Sequence, residues 1–297
     1  MSFGKVRQDL PLRRQTLPPD ALAGLKAAVI GGTGGIGRAL AHRLAARGAD
    51  VLVIGRTFRD QGLPGLRFLQ ADLSSMKTAL EVARQLPAET LDLLIMTQGI
   101  MAGRRRLTSP EGIERDMAVS HLSRFVMVRE VAARMGTNRS AGRPRPRVFV
   151  WGFPGANQKG SLEDFNSEKR YGLITAHANT VIGNEALVLD SAIRYPDVNF
   201  YGMNPGIIKT GIITGILGEG TLLFRLQQFL IGMLFQSVEE YADRILPLLV
   251  SPDIEAHSGA MFGRYGDAIY ASPSLMQKPY LQSVVEESEK LMRRALG

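Results

Sequence analysis

Short apolar runs alternate along this chain with longer segments in which apolar residues recur every three or four positions. A short run that is apolar throughout and ends near glycine predicts a strand buried on both faces, whereas the longer spacing predicts an amphipathic helix. The runs read AAVIGG, VLVIG, GLRFLQAD, LDLLIMTQG, VFVWG and VNFYGMNPG. Their alternation with helices predicts an α/β fold, a Rossmann-type doubly wound parallel sheet in a single domain.

The predicted domain covers residues 24–297 and follows an N-terminal arm of residues 1–23. The segment at about 211–236 is rich in Leu, Ile and Phe, so we interpret it as small C-terminal helices that form a substrate lid over an apolar ligand. The alternative for this segment is a helix at a homodimer contact. A short strand is expected near GAMFGRYG, and helices are expected after the first strand, at 75–86, 110–135, 173–194 and about 279–295, and at two places after the sixth strand.

A glycine-rich loop, IGGTGGIGRA, joins the first predicted strand to the first predicted helix. Glycine permits a tight turn there, lets the backbone approach a pyrophosphate, and lets the helix pack closely on the strand. The N-terminus of the helix adds free N–H groups and a positive dipole end. The loop therefore predicts a dinucleotide site whose first contacts are Gly31, Thr33, Gly34, Gly35, Ile36 and Gly37.

The end of the second predicted strand indicates which dinucleotide is bound. An acid at this position would hold the 2′-hydroxyl of the ribose in NAD, but the sequence has Arg56 and Thr57 there. A guanidinium suits the 2′-phosphate of NADP. We therefore expect NADP(H) as the cofactor, the alternative being that Arg56 is a solvated residue after a strand.

The composition of the chain excludes some kinds of chemistry and indicates which ligands to expect. The chain has no Cys, which excludes disulfides and thiolate chemistry and fits a cytoplasmic protein. The formal net charge is +8, and much of the excess lies in the RRR motif at 104–106 and in GRPRPR at 142–147. These arginines are interpreted either as solvated loop charge or as a field that steers an anionic ligand. We predict an apolar small-molecule substrate, no nucleic acid partner, no membrane surface and no metal.

With these motifs in view, the sequence resembles the short-chain dehydrogenase/reductase family, in particular its retinol-dehydrogenase-like members, over about residues 24–295. GGTGGIG resembles the family's glycine motif, and NPGIIKTGI resembles its Pro-Gly-x-x-x-Thr turn. The resemblance implies that Asp72 and Leu73 hold the adenine. It further implies that the segment after the fourth strand and the turn add cofactor contacts from Gln98, Gly99, Ile208 and Thr210.

This sequence departs from the family's pattern at all of the catalytic positions. The family's Ser position at the end of the fifth strand reads Trp-Gly-Phe at 151–153. Its Tyr-x-x-x-Lys pair falls either on Tyr171 and Thr175 or, in the register of the helix that follows, on Gly172 and Ala176. Both alignments lack the lysine, so the sequence is identified as an atypical member without the Ser-Tyr-Lys set.

Because the lysine is missing, more than one residue is a candidate for the proton donor. A phenol has a pKa of about 10, and it needs a nearby cation to act as an acid or base near neutral pH. Thr175 supplies no charge. The candidate catalytic residues are Tyr171, His177 and Ser120, which replaces the family's relay Asn. Each also has a structural interpretation, as an exposed Tyr, a helix-start His and a backbone-bonded Ser.

These observations predict an NADPH-dependent oxidoreductase with a non-standard proton donor. The expected reaction is the reduction of a carbonyl or a conjugated double bond on a bulky apolar substrate. Two alternatives stay open at this point. One is a non-redox cyclase, isomerase or dehydratase on the same scaffold, and the other is a non-catalytic NADP-binding protein.

Overall fold

The computed structural model describes residues 4–13, 16–206 and 237–297. Its centre is an eight-stranded sheet with the order β3-β2-β1-β4-β5-β6-β7-β8. The strands are β1 Lys26–Ile30, β2 Asp50–Gly55, β3 Leu66–Gln70, β4 Leu93–Met96, β5 Arg147–Trp151, β6 Asn199–Met203, β7 Met261–Phe262 and β8 Ala268–Ile269. Every neighbouring pair from β3 to β7 is parallel, which confirms the predicted doubly wound sheet.

The far edge of the sheet was not predicted from the sequence. Strand β8 runs antiparallel to β7, and the N-terminal arm adds a bridge between Val6 and Ile269 beyond it. Two backbone hydrogen bonds fix the arm there, from the N–H of Arg7 to the carbonyl of Ala268 and from the N–H of Tyr270 to the carbonyl of Lys5. The arm thereby covers a strand edge whose polar groups would otherwise be unpaired.

Six α-helices are found in the described part of the chain. They are α1 Gly35–Ala45, α2 Met76–Gln85, α3 Ser123–Val131, α4 Leu173–Arg194, α5 Val238–Val250 and α6 Lys278–Leu296. Helix α4 has the predicted bounds, and α2 and α6 differ from their predictions by one residue at each end. The predicted lid at 211–236 lies outside the described residues.

The helix predicted at 110–135 begins later than expected and is not uniform. It consists of a π-helical turn at Met117–Leu122, α3, and a 3₁₀ turn at Ala132–Arg134. The preceding residues form a tight turn, in which the hydroxyl of Ser109 accepts the N–H groups of Glu111 and Ile113. The Glu111 carboxylate in turn accepts the N–H of Met76 at the start of α2. These side-chain bonds compete with helix formation at residues 109–114.

Successive residues of β1 point to opposite faces of the sheet and enter two separate apolar layers. Ala28 and Ile30 belong to one layer, and Ala27 and Val29 belong to the other. Helices α1 and α5 pack together on one side, while α6 contacts α2, α3 and α4 on the other. The two covered faces explain why the central strands β1 and β4 are almost wholly apolar, and they leave the carboxyl edge of the sheet free for a site.

None of the helices in residues 4–13, 16–206 and 237–297 has both the length and the apolar character needed to cross a bilayer.

Candidate active site

A cleft of about 520 Å³ opens at the carboxyl ends of β1, β2 and β4. This is the edge at which doubly wound sheets bind their ligands. The cleft is lined by most of the predicted cofactor residues, namely Gly31, Thr33, Gly34, Gly35, Ile36, Gly37, Arg56, Asp72, Leu73, Gln98 and Gly99. Thr57 follows Arg56 just past the end of β2 but does not itself line the cleft. Ile208 and Thr210 lie outside the described residues.

Two glycines of the loop lie so close to neighbouring backbone that a side chain would collide with it, and a third faces the open cleft. Gly31 has φ +80, and a Cβ there would lie 2.6 Å from the amide nitrogen of Gln98. A Cβ on Gly37 would lie 2.6 Å from the carbonyl oxygen of Gly31. By contrast, a Cβ on Gly34, the N-cap of α1, would meet nothing within 4 Å. The helix start therefore faces open space, as a pyrophosphate site requires.

The cleft also has an unused buried acceptor that suits a nicotinamide dinucleotide. Oε1 of Gln98 is buried and has no hydrogen-bond partner in the described part of the chain, while Nε2 lies 3.4 Å from the hydroxyl of Ser123. Buried polar atoms are normally paired. An amide donor of a ligand that fills the cleft would pair this oxygen, so the residues present fit a nicotinamide cofactor.

At the other end of the cleft, Arg56 is exposed directly after β2. The first acid that follows it is Asp60, which is buried and already engaged. Its carboxylate accepts three hydrogen bonds from Arg38, at 2.6, 2.8 and 3.1 Å, and lies 3.0 Å from Nε2 of His42. The hydrogen bonds from Arg38, helped by His42, lower the pKa of Asp60 to about 2. No carboxylate in residues 56–60 is therefore left for a ribose hydroxyl.

Asp60 ties the loop after β2 to α1, and this tie has a predictable pH dependence. The lowered pKa means that the tie stabilises the fold fully above pH 3.8 and is lost as the pH falls toward about 2. We expect Asp60→Asn to reduce the free energy of unfolding by about 2 kcal/mol at pH 7. The difference from wild type should shrink steadily between pH 4 and pH 2.5 in urea titrations.

Asp243→Asn serves as the control for this substitution, because Asp243 pairs with Arg43 while half of its side chain is exposed. Exposed ion pairs contribute at most about 1 kcal/mol. A difference for Asp60→Asn that stays constant across the whole pH range would contradict the assigned pKa.

The two residues predicted to contact the adenine lie just beyond β3. Asp72 lies in the turn after the strand and not within it as predicted, and its carboxylate accepts the N–H of Ser74 at 3.0 Å. Leu73 is buried beside it and provides an apolar floor. Both residues line the cleft at the position that the family resemblance implied.

The predicted catalytic residues Ser120 and His177 meet at a third residue, Asp116. The Ser120 hydroxyl donates to Oδ1 of Asp116 at 2.5 Å, and Nδ1 of His177 lies 2.9 Å from Oδ2 of the same carboxylate. The π-helical turn presents Ser120 toward the loop after β4, where its oxygen accepts the N–H of Ile100 at 3.0 Å. Single π turns are frequent at functional sites.

Tyr171, the third predicted catalytic residue, has a different environment. Its hydroxyl donates to the carbonyl of Gly103 at 2.7 Å. Burial raises the pKa of Tyr171, and the nearby carboxylates of Glu114 and Asp116 raise it further. The charge of Arg106 opposes this rise, whereas Thr175, at one candidate position of the family's lysine, is exposed and uncharged. Ala176, the other candidate for the lysine position, is buried.

A buried arginine completes the site. The guanidinium of Arg124 donates to the carbonyl of Trp151 at 2.8 Å and to the carbonyl of Gln98. It thus connects the ends of β4 and β5. Burial lowers the pKa of Arg124 to about 9, so the group is still charged at neutral pH. A Cβ on Gly99 would lie 3.7 Å from Nη2 of Arg124, which places this charge directly beneath the cleft.

Sequence reasoning missed Asp116 and Arg124. A signal for both was present, because Asp116, Ser120 and Arg124 recur every four residues in ERDMAVSHLSRFVM, a spacing that places them on one face of a helix. A polar stripe of this kind in a buried helix predicts a hydrogen-bonded network.

Comparison with known proteins agrees with this geometry. Residues 26–143 match the family model described as short chain dehydrogenase. The chain is 45% identical over 273 residues to YKL107W, an uncharacterized oxidoreductase of Saccharomyces cerevisiae, covering 91% of this chain and 88% of that protein. It is 27% identical over 277 residues to DnrU of a Streptomyces species, a proposed daunorubicin C-13 ketoreductase, covering 87% and 88%.

Among solved structures, the fold is similar to that of a proposed NAD(P)-dependent gluconate 5-dehydrogenase from Beutenbergia cavernae, determined with NADP at low occupancy. The TM-score is 0.60 at 22% identity, with 84% of this chain and 98% of that chain covered. The fold, the glycine cradle and the extent of the sequence match lead to one conclusion. The chain belongs to the short-chain dehydrogenase/reductase family of oxidoreductases.

Proposed function

We propose that this protein is an NADP(H)-dependent oxidoreductase that reduces a carbonyl or a conjugated double bond on a bulky apolar substrate. The choice of NADP(H) over NAD(H) rests on the residues at and after the end of β2. Arg56 is exposed beside the cleft, and Asp60, the nearest following acid, is bound to Arg38. An exposed guanidinium in place of an available carboxylate favours a 2′-phosphate over a 2′-hydroxyl.

Different residues of the cleft would bind different parts of the cofactor. The loop from Gly31 to Gly37 and the start of α1 would seat the pyrophosphate, Asp72 and Leu73 the adenine, and Gln98 the nicotinamide amide. When bound, the nicotinamide ring supplies the hydride. The protein's own contribution is to orient the two reactants and to provide a proton to the oxygen of the substrate.

The proposal for the substrate rests on the character of the cleft where it extends past Gly99. The side chains of Ile100, Met101 and Val119 line this part and are apolar. The similarity to DnrU, which is named for reduction of a ketone on daunorubicin, supports a bulky carbonyl substrate. Apolar walls with few polar groups are typical of sites for such ligands.

Arg56→Ala tests the cofactor assignment. We expect the preference for NADPH over NADH, measured by calorimetry as a ratio of dissociation constants, to fall roughly 10- to 100-fold, the equivalent of one charged hydrogen bond. Arg67→Ala is the matched control. It removes the same charge from β3, where Arg67 pairs with Asp50 at the amino end of β2, away from the cleft. Equal affinity of the wild type for both dinucleotides would refute the assignment.

Reduction itself is tested by following NADPH absorbance with a panel of quinones, cyclic ketones and enones. We expect NADPH oxidation that depends on the added compound, with preference for larger apolar members. Tight NADPH binding without turnover across the panel would favour a non-catalytic NADP-binding protein. Conversion of a compound without added cofactor would favour a cyclase, isomerase or dehydratase, a class that also needs a proton carrier such as His177.

A further inference from the structure

We propose that His177, held by Asp116, is the proton donor that replaces the family's tyrosine and lysine in this protein. The inference rests on the proposed oxidoreductase function and assigns the step that the missing residues leave open. Asp116 acts as a positioning residue in this arrangement, and Ser120 connects the pair to the cleft.

The placement of His177 follows from the start of α4. The helix begins at Leu173, and His177 lies in its second turn on the side that faces the π-helical turn. The imidazole is 22% exposed, whereas the Asp116 side chain is only 1% exposed. A ring with one edge on a buried carboxylate and another edge accessible has the arrangement that a proton donor needs.

The chemistry of the contact fixes which nitrogen is free. An ionised carboxylate only accepts hydrogen bonds, so Nδ1 of His177 carries a proton toward Oδ2 of Asp116 at 2.9 Å. Nε2 is left for the substrate, since the ring bonds through Nδ1 alone within the described part of the chain. A carboxylate on the far nitrogen orients the ring and stabilises the imidazolium, as in other Asp–His pairs.

A short hydrogen-bonded path joins this pair to the cleft. Asp116 accepts from the Ser120 hydroxyl at 2.5 Å, and Ser120 accepts from the N–H of Ile100 at 3.0 Å. Ile100 itself lines the cleft, next to Gly99 and Gln98. The position of the pair is therefore set by the same loop that forms the nicotinamide end of the cleft.

Other charges around the pair favour His177 over Tyr171 as the donor. Arg124 is buried and interacts electrostatically with Asp116. Tyr171 faces the carboxylates of Glu114 and Asp116, and Arg106 offsets them only in part. Two carboxylates near a phenol oppose the phenolate that remains after proton donation.

The order of the three side chains also separates this site from a hydrolase. In a nucleophilic triad the His lies between the Ser and the acid and takes the proton of the hydroxyl. Here Asp116 lies between Ser120 and His177 and already accepts a hydrogen bond from each. Ser120 is therefore a connector and is not activated as a nucleophile.

In the proposed step the substrate receives one hydride from the reduced dinucleotide and one proton from the protein. The carbonyl carbon of the substrate accepts the hydride while the carbonyl oxygen takes the proton from Nε2 of the His177 imidazolium. The products are an alcohol, the oxidised dinucleotide and neutral His177. The imidazole then regains its proton from solvent through its exposed edge. For a conjugated double bond the same proton would go to the enolate formed by hydride addition.

His177→Gln tests the assignment, because glutamine can keep a hydrogen bond to Asp116 but cannot donate a proton at neutral pH. We expect kcat to fall roughly 100-fold or more, as is typical for loss of a general acid, with NADPH affinity unchanged by calorimetry. The matched control, His257→Gln, should keep its kcat within a factor of about two. It changes a histidine that precedes β7 at the amino edge of the sheet.

Asp116 is tested by a second pair of measurements. Asp116→Asn should lower kcat roughly 10- to 100-fold through loss of one charged hydrogen bond, with little change in KM. Added imidazole should restore part of the activity of His177→Ala and none of the activity of Asp116→Asn. A purely structural role for His177 would not permit rescue by a free imidazole.

A measurement independent of turnover uses protein labelled with ¹⁵N in its histidines. The His177 signal, assigned by its loss in His177→Gln, should report a protonated Nδ1 and should shift in Asp116→Asn and on saturation with NADP⁺. The His257 signal should shift in neither case.

The outcomes separate this inference from the proposed function. NADPH-dependent turnover that survives in His177→Gln but is lost in Tyr171→Phe would overturn the inference and leave the proposed function intact. A His177 signal that ignores NADP⁺, in a protein that binds it, would also overturn the inference. Failure of the wild type to bind either dinucleotide would overturn both.

Discussion

Asp92→Ala is expected to lower the free energy of unfolding by about 3–5 kcal/mol, the range found when one partner of a buried ion pair is removed. Asp92 lies just before β4 and is only 7% exposed. Its carboxylate accepts hydrogen bonds from Arg139 at 2.9 Å, from Arg143 at 2.8 Å and from the N–H of Lys26 at 2.8 Å. Without it, the buried Arg139 guanidinium loses its counter-ion.

The chain offers a matched control in Asp50, which begins the strand next to β1 and also pairs with an arginine. The pair of Asp50 and Arg67 is about half exposed, at 46% and 59%. Asp50→Ala should therefore cost less than about 1 kcal/mol. Urea denaturation followed by circular dichroism measures both, and equal losses in the two variants would contradict the role given to burial.

Two arginines of the basic GRPRPR segment form ion pairs. Arg143 and Arg147 of the GRPRPR segment are bound to Asp92 and Glu255 at the amino edge of the sheet. That edge is opposite the cleft. Arg147 is buried, so the prediction of solvated charge is wrong for this residue, whereas Arg143 is exposed and paired at the same time. Their guanidinium groups are structural.

Gly37→Ala is expected to weaken NADPH binding roughly 10- to 100-fold, because overpacking by one methyl group costs about 1–3 kcal/mol and each 1.4 kcal/mol is tenfold. The added Cβ would lie 2.6 Å from the carbonyl oxygen of Gly31. Backbone atoms cannot rotate away as a side chain can. Either the loop or the start of α1 must move, and both are needed for the pyrophosphate.

Gly34→Ala is the control for the effect of a new Cβ on stability, because its Cβ would meet nothing within 4 Å and its φ of −162 is extended backbone that any residue adopts. Its thermal stability should match that of the wild type, whereas Gly37→Ala should unfold at a lower temperature. Calorimetric titration with NADPH and a thermal scan measure the two effects separately. Unchanged NADPH affinity in Gly37→Ala would place the pyrophosphate elsewhere.

The cleft brings together the glycine loop, Asp72, Gln98 and Gly99, which the family resemblance implied as cofactor contacts. The absence of the family's complete Ser-Tyr-Lys set stays a prediction from the sequence. Beside the cleft, Ser120, Asp116 and His177 are joined by hydrogen bonds. A proton donor depends on a local charge, so a different residue with a suitable partner can supply it.

The predicted lid at 211–236, together with Ile208 and Thr210, falls outside the described residues, so its role over an apolar substrate stays a prediction.

The N-terminal arm of residues 1–23 was predicted from the sequence only in part. Its extended character was predicted, but its pairing with β8 depends on a strand of two residues that no local pattern identifies.

The sequence by itself determined the elements whose signals are local. A strand buried on both faces must be apolar throughout, and a glycine-rich loop between a strand and a helix is typical of a phosphate site. The sheet and the phosphate end of the cleft were therefore both predictable. Arg56 could be recognised for the same reason, since its place at the end of β2 follows from the strand alone.

Only the tertiary structure decided which polar side chains meet. Asp116 and His177 are 61 residues apart, and their contact exists because the π-helical turn and the start of α4 pack against each other. The same holds for Arg124, which binds the carbonyls of Gln98 and Trp151 on two different strands. Hydrogen bonds and charge interactions act over a few ångströms in space, so their partners depend on packing rather than on spacing along the chain.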